Sequence, residues 1–177
     1  MLAESLAGFA AAHADIVTLG AEREFVRRRH PKAGKVALIS GDGSGHKPLH
    51  AGFVGHGMLD AACPGHIFTS PTPNQMLAAA EAVATGAGVM FIATTGGRAV
   101  VGTLIVEKIV GAAAERGATL AELKTPGDAV NKATASLGVA LTSCTVPAVG
   151  KPTFQLGADK MEMASVSTAS RAAGASS

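Results

Sequence analysis

Val36-Ala37-Leu38-Ile39-Ser40 runs straight into Gly41-Asp42-Gly43-Ser44-Gly45-His46, and the rest of the chain is best read outward from this stretch. An unbroken apolar run of this length has the pattern of a strand buried on both faces, as in a parallel sheet. A glycine-rich turn directly after such a strand sits at the carboxyl end of the sheet, where open α/β folds bind ligands. Its glycines let backbone N–H groups approach a ligand closely, and Ser44 and His46 add side-chain polarity. Spacing rules out two common identities. A phosphate-binding P-loop needs Gly before Lys-Ser/Thr, whereas here His46 precedes Lys47 and Pro48 follows. The dinucleotide fingerprint needs two residues between its second and third glycines, and only Ser44 separates Gly43 from Gly45. A plain tight turn with a satisfied histidine is the alternative.

On either side, helical and strand patterns alternate. Leu2, Leu6, Phe9 and Ala10 recur at helical spacing. The stretch from Arg23 to Lys35 holds six of the 15 basic residues and reads as a solvated turn before the strand. Ile67-Phe68-Thr69 is a second strand candidate, and Val89-Met90-Phe91-Ile92 a third buried strand. Between them Thr72-Pro73-Asn74-Gln75 has the form of a helix start, with a Thr cap and Pro at the first helical position. That helix runs to Ala84 and stops at Gly86. A helix over Thr103–Arg116 presents Leu104, Ile105, Ile109, Ala112 and Ala113 as its apolar side. The helical stretch from Leu120 to Ala135 contains Pro126-Gly127. Proline inside a helix costs about 3 kcal/mol and glycine about 1 more, which predicts a break. Gly138–Leu141 reads as a fourth strand, and the Ala/Ser-rich tail 164–177 as unfolded or foreign. The alternation predicts one α/β domain with a largely parallel sheet flanked by helices.

Composition narrows the function classes. The chain has 177 residues, 47% apolar, which is enough for a single core. Aromatics are 3%, with no Trp or Tyr, which argues against base-stacking platforms. Fifteen basic and 13 acidic residues give a net charge of +2, too balanced for a nucleic-acid footprint. Cys63 and Cys144 lack metal-type spacing, so no zinc or other metal site is expected and both thiols read as buried in a reducing compartment. Arg98, Glu107 and Lys108 interrupt the most apolar region, Val89–Ala114, and the first residues lack a basic leader. A cytoplasmic protein without membrane or nucleic-acid partners is the expectation.

The longer words carry a resemblance. Val36-Ala37-Leu38-Ile39-Ser40-Gly41-x-Gly43-Ser44-Gly45-His46-x-Pro48 and His50-Ala51-Gly52-Phe53-Val54-Gly55 resemble the dihydroxyacetone (glycerone) kinase family, in its substrate-binding subunit or domain. The likeness continues through Cys63-Pro64-Gly65, Phe68–Pro73, Gly102-Thr103, Glu107-Lys108-Ile109, Gly111–Gly117 and Ser143–Pro147. It covers most of residues 1–163. It implies the first α/β domain of that subunit and phosphoryl transfer to dihydroxyacetone, giving dihydroxyacetone phosphate. Gly43, Ser44, Gly45 and His46 match the substrate loop, with His46 as proton acceptor from the substrate hydroxyl; Ser70 matches a serine lining the pocket. The implied partners are dihydroxyacetone and a separate nucleotide-binding subunit, which carries ATP or ADP with magnesium. This chain itself is expected to bind no cofactor, and a homodimer is left open.

Three departures qualify that likeness. After Val89–Ile92 the family continues Lys-Asn-Tyr-x-Gly-Asp, whose Lys and Asp hold substrate, whereas here Ala93-Thr94-Thr95-Gly96-Gly97-Arg98 leads directly to Gly102-Thr103. A βα unit, on the order of 30–40 residues, is missing. After Met161-Glu162-Met163 the family has Gly-Val-Gly-Ile-His-Gly-Glu-Pro-Gly, whose His adds covalently to the substrate carbonyl; this chain has no histidine after His66. Deleting one base from GC-rich codons for that word spells Ala-Ser-Val-Ser-Thr-Ala-Ser-Arg-Ala, which is residues 164–172, so a frameshifted tail is expected. Asp42 and Lys47 stand where the family usually has Gly and Glu. Phosphoryl transfer by this chain alone is therefore not expected. The competing readings are a non-catalytic ketose-binding or regulatory module, an inert remnant, and, more weakly, a generic phosphate binder.

Overall fold

The computed structural model describes residues 2–20, 22, 24–44, 50–67, 69–93, 100–143, 145, 150–152, 154–157 and 160–167. Its elements in chain order are α1 (Leu2–Ala12), β1 (Val17–Leu19), β2 (Val26–Arg28), β3 (Ala37–Ser44), β4 (Ala61–Ile67), α2 (Pro73–Val83), β5 (Val89–Ile92), α3 (Val100–Glu115), α4 (Leu120–Ala133), β6 (Ala135–Ala140) and β7 (Glu162–Ser167). A 3-10 turn, Ala51–Phe53, precedes β4.

Five strands form one sheet in the order β1-β2-β4-β3-β5. The central three, β4, β3 and β5, are parallel, and β1 and β2 add an antiparallel margin. The α/β expectation with a parallel centre therefore holds. Residue parity sorts the core onto two faces. Ala37, Ile39, Ala61 and Cys63 pack with Phe25 and with Ala79 and Val83 of α2. Val36, Leu38, Ala62 and Ile92 pack on the opposite face with Leu6 of α1, Val106, Val110 and Ala114 of α3, and Leu123 of α4. The connection from β3 to β4 places Val54 and Leu59 on the α3 face, whereas α2 returns the chain across the other face to β5. The carboxyl end of β3 thus lies where the two connections diverge.

Several sequence expectations are corrected. The strand beginning at Val36 does not stop before the glycines: Gly41-Asp42-Gly43-Ser44 belong to β3, whose register against β4 shifts between Asp42 and Ser44. The second strand is Ala61–Ile67, not Ile67–Thr69. Pro64 and Gly65 disguise it, but a parallel neighbour on β3 supplies its pairing. The basic stretch is not a solvated turn. It contains β2, and Lys35 is 2% exposed. The turn-like break at Pro126-Gly127 is absent, because α4 runs through it. A capping box of Thr119 with Glu122 fixes its start and buried Leu123 fastens it to α3, offsetting the bond proline cannot donate. On α3 the residues turned inward are Thr103, Val106, Glu107, Val110 and Ala114, while Ile105 and Ile109 of the expected apolar side are exposed. The fourth strand is not in the main sheet; β6 pairs antiparallel with β7 in a separate ribbon. That ribbon includes Ala164–Ser167, so the first residues of the tail are paired strand rather than unfolded.

Capping at α2 is as read: Thr72 Oγ1 accepts from Gln75 N at 3.2 Å, with Pro73 at the first helical position. The Gln75 side chain turns away and donates to Pro64 O at 2.9 Å and to Glu24 O. Among the described residues no helix is long and apolar enough to cross a membrane, and no cluster of three His, Cys, Asp or Glu could hold a metal ion.

A charge network closes the amino-terminal end of the central strands. Asp60 Oδ2 accepts from Leu38 N at 2.9 Å and from Lys35 Nζ, and its Oδ1 meets Arg28 Nη1 at 3.3 Å. Glu115, at the end of α3, meets Arg28 at 2.9 Å and accepts from Gly57 N at 3.2 Å. Burial would raise the Glu115 carboxyl, but the Gly57 N–H, the Arg28 guanidinium and the Lys35 ammonium together hold it below its ordinary 4.5. A carboxyl held low in the folded state stabilises above the unfolded value and loses that contribution as pH falls through the folded one. Glu115→Gln is therefore expected to lower stability at pH 7 by about 3 kcal/mol and to flatten the decline in Tm below about pH 4.5, measured by thermal unfolding across pH.

Candidate functional site

The candidate site lies at the carboxyl end of β3, outside the sheet and at the point where its two neighbouring connections leave on opposite faces. Crevices of this kind are where ligands bind in open α/β sheets. Of the five expected residues, Gly43, Ser44 and Ser70 are described; Gly45 and His46 lie outside the described residues. Gly43 and Ser44 end β3 and are both buried. The Asp42 carboxylate accepts from Gly43 N at 2.7 Å. Ser44 Oγ donates to Gly65 O of β4 at 2.6 Å, so its proton is committed to the scaffold and its lone pairs remain for a ligand.

Ser70 is brought to the same corner by glycine packing. A Cβ on Gly65 would lie 1.9 Å from Thr69 O and 2.7 Å from Ser70 C. One on Gly41 would lie 2.6 Å from Cys63 O. Only glycine lets the 69–71 segment close onto the ends of β3 and β4. Exposed Ser70 then lines a cleft of about 310 Å³ with Gly65, His66, Gln75, Leu6 and Glu24.

Three further residues meet beside this site: Ser40, His50 and Glu107. His50 is the first described residue after Ser44. Its Nδ1 lies 3.1 Å from Ser40 Oγ and 2.7 Å from Glu107 Oε1. Ser40 Oγ donates its only proton to Ile92 O at 2.8 Å, so towards His50 it can only accept. Nδ1 therefore carries a proton, shared between Ser40 and Glu107. Among the described residues, His50 Nε2 and Glu107 Oε2 are buried without a hydrogen-bond partner. Ser44 is thus tied to β4, and His50 to β3 and α3. His50 and Glu107 stood inside family words, yet sequence reasoning gave neither a role, because 57 positions separate them and only the packing of α3 on β3 joins them.

Cys63 is buried under α2, its Sγ 3.8 Å from Gln75 O. Burial pushes its thiol up to about 12, and a protonated thiol is neither nucleophile nor metal ligand. In a Cys144→Ser background no thiol is expected to react with a disulfide reagent at pH 8 until denaturant is added. His50→Leu, which strips the partner from a wholly buried carboxyl group, is expected to destabilise by about 3 kcal/mol. Adding Glu107→Leu should restore part of that loss. A double-mutant cycle by denaturant unfolding reads the coupling, and purely additive losses would contradict it.

The comparisons with known proteins agree on one family. The Dak1 domain model matches residues 7–95 and again 92–165. The dihydroxyacetone-binding subunit DhaK of a PTS-dependent dihydroxyacetone kinase from Listeria innocua is 41% identical over 196 aligned residues, covering 88% of this chain and 60% of the relative. The aligned length exceeds the 177 residues of the chain, so the relative carries residues that this chain lacks. The split of the family match at 92–95 places such a gap just after β5. Among solved structures, the dihydroxyacetone kinase operon co-activator Dha-DhaQ superposes with a TM-score of 0.73 at 26% identity, over 90% of this chain and 61% of that one. The dihydroxyacetone kinase of C. freundii in complex with AMP-PNP and Mg2+ gives 0.70 at 30%, over 82% of this chain and 35% of that one. The chain thus spans about 60% of the curated relative's length. With its parallel sheet, its glycine-rich strand end and a family match over most of its length, this chain belongs to the Dak1 domain family.

Proposed function

We propose that this chain is a dihydroxyacetone-binding module of the kinase family, which holds the ketose at the carboxyl end of β3 and does not complete phosphoryl transfer by itself. The observation that carries this reading is the fixing of Ser44 to β4 and of His50 to β3 and α3, in a chain 41% identical to a dihydroxyacetone-binding subunit. Gly43, Ser44 and Gly45 would cradle the substrate, with Ser70 at the rim. His46 would accept a proton from the substrate hydroxyl as the phosphoryl group arrives, a role a neutral imidazole performs near pH 7. The phosphoryl donor would come from a nucleotide-binding partner subunit carrying ATP or ADP with magnesium.

What this chain lacks limits that chemistry. No histidine follows His66, so nothing replaces the covalent His, and residues 93–98 contain neither the Lys nor the Asp of the family word. We assign the tail from Ala164 to a one-base frameshift in the coding DNA, and the family match ends at residue 165. Resequencing past codon 163 should reveal the Ile-His-Gly-Glu-Pro word in another frame; its absence from every frame would refute that assignment. A second reading, a regulatory ketose-binding module, is favoured by the likeness to the operon co-activator.

Calorimetry with dihydroxyacetone, followed by a coupled kinase assay with a nucleotide-binding subunit, tests both. Without a covalent bond, affinity is expected to be weak, with Kd about 1 mM, or roughly −4 kcal/mol, and no turnover. Turnover at the rate of an intact family member would overturn the non-catalytic part. Binding of inorganic phosphate but not ketose would favour a generic phosphate binder, and no binding of either an inert remnant.

A further inference from the structure

The cleft beside Ser70 holds two carboxylates that the fold does not pair. Its polar wall is made by Ser70, Glu22, Glu24, His66 and Gln75, and its apolar wall by Leu2, Ala3, Leu6 and Pro64. Glu22 and Glu24 are exposed, and among the described residues neither carboxylate has a hydrogen bond or an ion pair. Gln75 is a second and independent sign. It is only 7% exposed, yet its amide is half satisfied. Its Nε2 donates to Glu24 O and, at 2.9 Å, to Pro64 O. Both partners are carbonyl oxygens, which only accept, so the NH2 group must face them and Oε1 is left over. Among the described residues Oε1 has no partner, and it is not sealed from the surface, so it opens onto the cleft that Gln75 lines. An acceptor left over on an otherwise buried side chain calls for a donor.

We propose that this cleft binds an alkylguanidinium group, held by Glu22, Glu24 and Gln75 Oε1. The acceptors fix the class of ligand. Two carboxylates and an amide oxygen accept and do not donate, so the ligand must bring several N–H donors and positive charge. A metal ion does not fit, since among the described residues Glu22, Glu24 and His66 form no group able to hold one. A guanidinium spreads five donors over a plane and meets a carboxylate with two parallel bonds, whereas an ammonium offers three donors at one point. Leu2, Leu6 and Pro64 give the methylene stem an apolar surface to lie on. The cleft, about 310 Å³, is at the small end of ligand pockets and has room for one such group. The site goes beyond the ketose reading, with whose expected residues it shares Ser70 alone.

Titration of the full chain with n-butylguanidinium at low ionic strength, followed by amide chemical shifts, tests this without any ketose. Saturable shifts are expected, and they should weaken as salt is added. n-Butylurea has the same stem and shape without the charge and should bind about tenfold more weakly or worse. n-Butylammonium should fall between the two. Glu22→Gln and Glu24→Gln should each weaken guanidinium binding by about tenfold. Both side chains are exposed, so either variant serves if the other loses its native circular dichroism. Glu81→Gln, on the exposed side of α2, should leave binding unchanged. A blocked glycyl-arginyl-glycine peptide that binds as tightly as the free probe would make the source a protein's arginine side chain. Binding of the free probe alone would make it a small guanidine. Absence of saturable shifts would overturn the proposal. So would equal binding of n-butylurea, or binding that Glu81→Gln weakens as much as Glu24→Gln does. Ketose binding can fail while this site holds, and the reverse, because neither titration contains the other ligand.

Discussion

Asp60 joins three strands with one carboxylate. Its oxygens take the Leu38 N–H, the Lys35 ammonium and the Arg28 guanidinium, while its own N–H donates to Leu38 O at 2.8 Å. Its carbonyl also receives the Arg28 N–H at 2.8 Å. A buried charge is tolerated only when it is paired and hydrogen-bonded. The ends of β2, β3 and β4 must therefore stay together for Lys35 and Asp60 to remain dry. Glu115 extends the same constraint to the end of α3, so the helix that carries Glu107 is held at its far end by charge.

That arrangement divides the labour along β3. Its amino-terminal end is locked by ions, its middle by apolar packing on both faces, and its carboxyl end by hydrogen bonds and close backbone approaches. Gly41 and Gly65 let the 69–71 segment press against the strand ends, and Ser44 ties β3 to β4 where the register shifts. The Ser40–His50–Glu107 cluster completes the corner from the other side. A strand end anchored on both flanks reduces the ordering that the few contacts of a small ligand would otherwise have to supply.

A solved operon co-activator and a solved kinase both share this fold with the chain, at 26% and 30% identity, so the fold by itself does not fix the function. The gap after β5 falls beside the scaffold and not within it: β5 still completes its ladder with β3, from Ala37 opposite Val89 to Ser40 opposite Ile92.

Much was legible in the residues alone. Four apolar positions marked β3, the Thr72-Pro73 cap marked α2, and Val89–Ile92 marked β5 as a strand, because each signal is local; the expected burial of β5 does not hold, since it ends the sheet with Phe91 exposed. The glycine-rich words pointed to the family for the same reason. The tertiary structure decided what no local pattern contains. It turned Lys35 inward to meet Asp60, kept α4 whole across Pro126 by packing Leu123 on α3, and chose the Val106–Val110 face of α3 over Ile105–Ile109. It also drew β4 through Pro64 and Gly65, and joined His50 to Glu107. Propensity and periodicity weigh a residue against its near neighbours in the chain, whereas these outcomes depend on partners brought close only by folding.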